Sequence, residues 1–280
     1  MATTTSTAPA PPASEQPRRW YRQPGTVLPL AAIVLGLSIL VSVPAPAGRF
    51  STDVIVGRDV AFSWEYALSV APQIARGLYT TVRVTAMAAM IMFTLGLVLA
   101  LLRRSRLRVV RWPSALVIEF IRSTPILVQF IFGLAIVRAV PGLSLSGIQI
   151  AFAVLGIHYA TYASEAYRAG IDSVPAGQWE AATALNLSPA TTWTRLIIPQ
   201  AVPNILPTLG NYLIAALKDA PIAGPVLGVP GIMFAANTLR ADTFRQSEPF
   251  IVAGIGFLLV SIPAAWLVRR LEKRVAYERS

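Results

Sequence analysis

The chain contains no cysteine and a single histidine, His158. Disulfides, thiolate nucleophiles and Cys-ligated metals are excluded, and one imidazole leaves no His cluster for a metal site or a relay. Lysine is nearly as scarce: only Lys218 and Lys273 occur, and neither follows a glycine. A Gly-Lys-Ser/Thr phosphate loop, whose backbone cradles phosphates while the lysine reaches them, cannot be built from these residues. Neither His-Glu-x-x-His nor Gly-x-Ser-x-Gly is present. Charge is thin as well. Only 13% of the 280 residues are charged, against about 25% in an average soluble domain.

What is present is apolar. Hydrophobic residues make up 55% of the chain and the mean hydropathy is +0.60. A membrane-crossing helix needs about 20 mostly apolar residues, and six runs approach that: Val27–Val43, Leu78–Leu102, Pro125–Val140, Ile148–Ser164, Ala201–Ala223 and Phe250–Val268. The expected fold is an all-α integral membrane protein of about six transmembrane helices. The formal charge of +11 sits in loops that flank these runs, which reads as a topology signal and not as a nucleic-acid footprint. Arg18, Arg19 and Arg22, the group Arg103, Arg104, Arg106, Arg108, Arg111 and Arg122, then Arg168, Arg195 and the series from Arg269 to Arg279 fall on one side. On the other side Arg49, Arg58, Arg240 and Arg245 are offset by Asp53, Asp59, Glu65, Asp242 and Glu248. The bias places both termini in the cytoplasm of a bacterial inner-membrane protein, which agrees with an even number of spans.

Residues 1–26 are expected to be a disordered cytoplasmic tail, because the Ala/Thr/Pro-rich start cannot bury a core. Residues 27–44 follow as a first span, 45–76 as a periplasmic segment, 77–270 as the main membrane domain, and 271–280 as a basic cytoplasmic tail. The first span, with its basic lead and Ala45-Pro46-Ala47 ending, also resembles a cleavable signal peptide. Retention is the expectation, because the basic lead is long and the chain that follows is itself membrane-embedded.

The loop from Glu165 to Pro199 is far longer than a minimal connection and carries signals for two short helices. Pro175 suits the first turn of one, with Glu180 early in it, where negative charge is favoured. Asn186 tolerates the left-handed geometry that ends helices. Ser188 is a good N-cap with Pro189 at the first position of the next helix, which passes Trp193 and Ile197 and stops near Pro199. Two amphipathic helices held at a sharp angle would make a rigid knob, with Ala181, Ala182 and Ala184 allowing a partner close approach. On pattern alone, a hairpin lying on lipid headgroups fits equally well.

These residues carry a resemblance. Glu180-Ala181-Ala182, the turn at Asn186 and Leu196-x-Ile198-Pro199 resemble the EAA loop of binding-protein-dependent ABC importer permeases, a family with the MetI-like fold. Glu165-x-x-Arg168-x-Gly170-Ile171, Gln178-Trp179-Glu180, Glu119-x-x-Arg122-Ser-Thr-Pro125 and Leu217-Lys218-Asp219 are similar to its polar amino-acid branch. The resemblance spans roughly Gly77 to Arg270. It departs at Asn186, where the family has Gly, and at Ala220-Pro221, where Thr-Ser is common. The first span is additional to the five-helix core of that branch. The resemblance implies that Gln178, Trp179, Glu180, Ala181, Ala182, Asn186 and Pro199 couple to a cytoplasmic ABC ATPase subunit. It implies no catalytic residue, metal or cofactor on this chain, with ATP and Mg held by the ATPase. Further implied partners are a periplasmic or lipid-anchored substrate-binding protein, a second permease subunit of the same or a related kind, and membrane lipids.

Lys218 and Asp219 close the fifth run, where charge is costly unless it faces a cavity or a partner helix. They read either as path or gate residues or as structural and interfacial ones; sequence neighbours do not face each other on a helix, so each needs its own partner. Asn211, Glu165, Glu119 and Arg122 complete the candidate path. Glu119 and Arg122 are spaced to pair with each other. Pro203 and Pro207 should bend the start of the fifth span, and the Pro/Gly-rich 220–231 stretch reads as a gate, a re-entrant element or a periplasmic loop. The basic group Arg103–Arg111 suits orientation and anionic-lipid contact, and His158 suits packing beside Tyr159 and Tyr162. The expected activity is translocation of a polar amino acid or similar small zwitterion, driven by ATP hydrolysis on another chain. The alternatives are a permease for another polar solute, a membrane-embedded enzyme or a secondary transporter; the latter two lack their usual motifs and repeats.

Overall fold

The computed structural model describes residues 62–277, all within the second of two units into which the chain divides. The expected tail and first span lie outside the described residues. Ser63 caps α1 (Trp64–Arg103) by accepting the Tyr66 N–H at 3.2 Å, with Glu65 in the first turn. After a short turn come α2 (Arg108–Arg122) and α3 (Ile126–Ala139). A reciprocal Ser146–Gln149 capping box starts α4 (Gly147–Asp172). Next are α5 (Ala176–Ala184) and α6 (Pro189–Thr191), then a π-helical stretch (Thr192–Ile197) that runs directly into α7 (Ile198–Asp219). A 3-10 turn (Ala220–Ile222), α8 (Ala223–Leu227), α9 (Ile232–Thr243) and α10 (Ser247–Tyr277) complete the described chain.

The spine of the bundle is the α1–α4 pair, held close by small residues. A Cβ on Gly96 would lie 2.7 Å from that of Ala163, and one on Gly156 would lie 2.9 Å from the Ala88 carbonyl oxygen. Two helices in lipid gain most from such backbone approach, since lipid tails solvate apolar side chains as well as leucine does. Around this contact Met92, Phe130, Leu155, Ile197 and Leu209 form the main core. A second cluster, Val70, Ile74, Ile232, Ala236 and Ala253, ties the start of α1 to α9 and α10.

By length and composition, α1 and the Ser247–Arg270 part of α10 can each cross a membrane alone. Two bent pairs, α2 with α3 at 110° and Pro189–Leu227 with α9 at 45°, each have the length and composition of either a broken span or a re-entrant element. This revises the expected spans in three places. α1 begins at Trp64 instead of Leu78, because Val70 and Ile74 find a buried apolar partner in α9 despite the polar residues between them. α3 is only about 21 Å long, short of the roughly 30 Å hydrocarbon core, and acts as half of a broken element. The 220–231 stretch is no open loop: Ala220, Pro221, Ala223, Gly224, Val229 and Gly231 are buried, and Gly228 takes the left-handed φ of 67° that ends α8. Much of this irregular backbone is thereby covered by protein, the condition under which such backbone is tolerated within a membrane, while Pro225, Gly228 and Pro230 are exposed. Pro203 and Pro207 both lie inside the continuous α7.

Candidate functional site

The EAA-like loop folds as a braced knob. α5 ends in a Schellman motif: the Asn186 N–H donates to the Thr183 carbonyl and the Leu187 N–H to Ala182, both at 3.0 Å. Asn186 has φ 54°, the left-handed geometry expected of it. Ser188 then caps α6 by accepting the Thr191 N–H at 3.2 Å, with Pro189 in the first turn. Trp179 and Trp193 meet edge to face at 5.4 Å and pack against the main core, which includes the buried Val174 and Ile197; Ala182 is buried as well. Gln178 accepts a 3.4 Å hydrogen bond from Gln200. The knob is therefore continuous with the main core, while Glu180, Ala181, Ala184 and Leu185 remain exposed at its tip.

Several expectations about this loop change. Pro175 is the N-cap residue, one position earlier than expected, and Glu180 falls mid-helix, beyond the first turn where the dipole favours a carboxylate. Ala182 is 3% exposed, so of the three alanines expected at the surface only Ala181 and Ala184 are exposed. The second short helix does not stop at Pro199. Proline is tolerated in a first helical turn, where an N–H has no partner to lose; Pro199 occupies that place in α7, so the chain passes through the π stretch without a break.

At the same end of the bundle, six charged side chains form a hub with Glu165 at its centre. The Glu165 carboxylate, 20% exposed, pairs with Arg103, with Arg168 at 2.7 Å and with Arg122 at 3.9 Å. Asp172 pairs with Arg104 and, at 3.3 Å, with Arg168. The expected Glu119–Arg122 pair does not form: Glu119 is exposed and makes no ion pair among the described residues, while Arg122 turns to Glu165 and stacks over the Tyr162 ring at 5.0 Å. The reason is geometric. Tyr162 and Glu165 lie on one face of α4 and together offer Arg122 a ring and a charge.

From this hub a polar and aromatic stripe runs along α4. Tyr162 packs against Tyr159 at 5.8 Å and against Tyr212 of α7 at 5.6 Å. Tyr159 donates to the Asp219 carboxylate at 2.7 Å. His158 lies 3.1 Å from the Gln129 side-chain oxygen, and the Gln129 amide is held in turn by Thr124 and the Ile121 carbonyl. The structure thus joins Glu165, Arg122 and Asp219 through aromatic rings to which the sequence alone assigns no such role. Lys218 is exposed and Asp219 is paired elsewhere, so the two point to different surroundings. Asn211 is not brought to the stripe: it donates to Glu272 of α10 at 3.0 Å. Tyr159, Tyr162 and Tyr212 had one legible signal, the helical spacing of Tyr159, Tyr162 and Glu165.

Residues 92–277 match the model of a family described as binding-protein-dependent transport system inner membrane component, two thirds of the chain. The chain belongs to that family. Among curated relatives, a probable amino-acid ABC transporter permease protein of Sinorhizobium fredii is 39% identical over 74% of this chain and 92% of its own length. A probable glutamine ABC transporter permease protein of Bacillus subtilis is 32% identical over 71% and 91%. The crystal structure of an amino acid ABC transporter with histidines superposes with TM-score 0.71 and 30% identity, covering 77% of this chain and all of that one. An inward-facing methionine ABC transporter, MetNI, shares the fold at TM-score 0.58 and 16% identity, covering 78% and 100%. This chain is accordingly the membrane-embedded permease component of an ABC importer, with the MetI-like helical fold.

Proposed function

We propose that this permease carries a polar amino acid or a similar small zwitterion inward, powered by ATP hydrolysed on a separate cytoplasmic subunit and coupled through the α5–α6 knob. The observation that carries the reading is mechanical. From Pro189 to Asp219 the chain is helical without a gap, about 45 Å long at about 1.5 Å per residue. The knob is braced onto one end of this rod by Trp179–Trp193, and the Asp219–Tyr159 pair sits at the other. Force applied to the tip would reach the rod as a rigid-body displacement, since Ala182, Ile197 and Val174 are buried and pack the knob against the bundle. The stripe of Tyr, His, Gln, Arg and carboxylate side chains between α4 and α7 offers both signs of charge, as a zwitterion needs. The arginine-rich end faces the cytoplasm in this reading, following the positive-inside rule, and an external binding protein supplies the solute at the other end. Two permease subunits, alike or related, would complete the path; ATP and Mg belong to the ATPase.

The experiment is Glu180→Lys in the complex reconstituted with its ATPase and binding protein. The variant is expected to insert normally, since Glu180 is exposed, and to lose the binding-protein stimulation of ATP hydrolysis. Full stimulation would contradict a docking role for the knob.

A further inference from the structure

The face of α2 turned away from the bundle belongs to neither the stripe nor the knob. α2 is turned by 110° from α3, and only Ser114 and Ile118 of its 15 residues are buried. At about 100° per residue its surface divides into three sectors. Ser114 and Ile118 form the protein-facing one. Val109 (85% exposed), Leu116 (72%), Trp112 (70%) and Phe120 (64%) form a second, wholly apolar one. Arg108, Arg111, Glu119 and Arg122 occupy the third. Arg122 is engaged by Glu165, and Arg103 and Arg104 are engaged by α4 carboxylates. Arg106, Arg108 and Arg111 are exposed and have no ion-pair partner among the described residues, and Glu119 is the sole acid in α2.

We infer that α2 lies in the plane of the membrane surface and is a docking surface for anionic lipid, with Arg106, Arg108 and Arg111 on the headgroups and Val109, Trp112, Leu116 and Phe120 in the upper acyl layer. A helix with a broad apolar face, a basic flank and a sharp turn into the next segment has the physical form of an interfacial helix. The choice of an anionic headgroup rests on charge complementarity, since three cations lie together with one exposed acid farther along the helix; juxtamembrane arginines gain from a negative surface in this way. Aromatic Trp112 suits the headgroup–acyl boundary. The C-terminal end of α2 is fixed to the bundle by Arg122, so lipid held at the N-terminal end also fixes where the bent α2–α3 element sits.

The test uses the full chain, whose lack of cysteine allows a single fluorophore at Val109→Cys. The labelled protein is reconstituted into phosphatidylcholine vesicles with spin-labelled phosphatidylglycerol or spin-labelled phosphatidylcholine at equal mole fraction. Quenching about threefold stronger by the anionic probe is expected. That preference should disappear in Arg106→Gln/Arg108→Gln/Arg111→Gln and fall in high salt. Equal quenching by both probes in the otherwise unchanged chain would overturn the proposal, and so would absence of quenching together with efficient Cys–Cys cross-linking, which would place a second copy on this face. The two-probe comparison is made on the chain with its arginines intact, so it decides the matter even if the triple variant fails to fold.

Discussion

Asp219 puts a carboxylate between helices and meets one phenol, that of Tyr159, at 2.7 Å. A hydrogen bond to a charged group contributes about 1.5–3 kcal/mol, and a polar group left unpaired on burial costs a comparable amount. Tyr159→Phe should therefore lower the melting temperature of the detergent-solubilised permease and reduce uptake in proteoliposomes several-fold. Asp219→Asn keeps an acceptor for the phenol while removing the charge. It should retain most of the stability and lose transport, separating the structural role of the pair from the proposed role of its charge in the path. Wild-type uptake by Asp219→Asn would remove the carboxylate from the path. Glu165 poses the opposite case. It faces Arg103, Arg122 and Arg168, so its loss would leave like charges facing one another, and its contribution belongs to the network, not to any one surface pair.

Among the elements, the α5–α6 turn gives the sharpest test of local physics. Asn186 has φ 54°, a conformation that costs an ordinary L-residue about 1–2 kcal/mol and glycine almost nothing. Asn186→Gly should preserve binding-protein-stimulated ATP hydrolysis, whereas Asn186→Val should weaken it by splaying the knob; equal activity of the two variants would show that the Schellman geometry is dispensable. This turn, the Ser188 cap and the run of apolar helices were legible in the sequence because each depends on residues within a turn of one another. The bent α2–α3 pair, the extension of α1 to Trp64 and the Glu165 hub were not. Glu165 draws partners from α1, α2 and its own helix, and the Tyr159–Asp219 bond joins residues 60 positions apart; no periodicity records such meetings. The Glu119–Arg122 expectation failed for the same reason: helical spacing permitted the pair, and a distant carboxylate and ring outcompeted it.

At the scale of the whole molecule, the described chain is a bundle whose ends differ. One end gathers the ion-pair hub, α2 and the knob; the other holds the α1–α9–α10 cluster around Ile74 and Ala236. The rod from Pro189 to Asp219 leads away from the knob to the 3-10 break and the buried 220–231 stretch. An engine acting on the knob would therefore displace the helix that carries Asp219. The most direct measurement is accessibility at the knob. Ala181 is exposed and the native chain has no competing thiol, so Ala181→Cys can be challenged with a membrane-impermeant maleimide. A knob on the cytoplasmic side that docks the ATPase gives no labelling in intact cells, rapid labelling in inverted membrane vesicles, and protection there when the ATPase subunit is added. Labelling in intact cells would put the knob on the wrong side of the membrane, and equal labelling with and without the ATPase would rule out docking at Ala181.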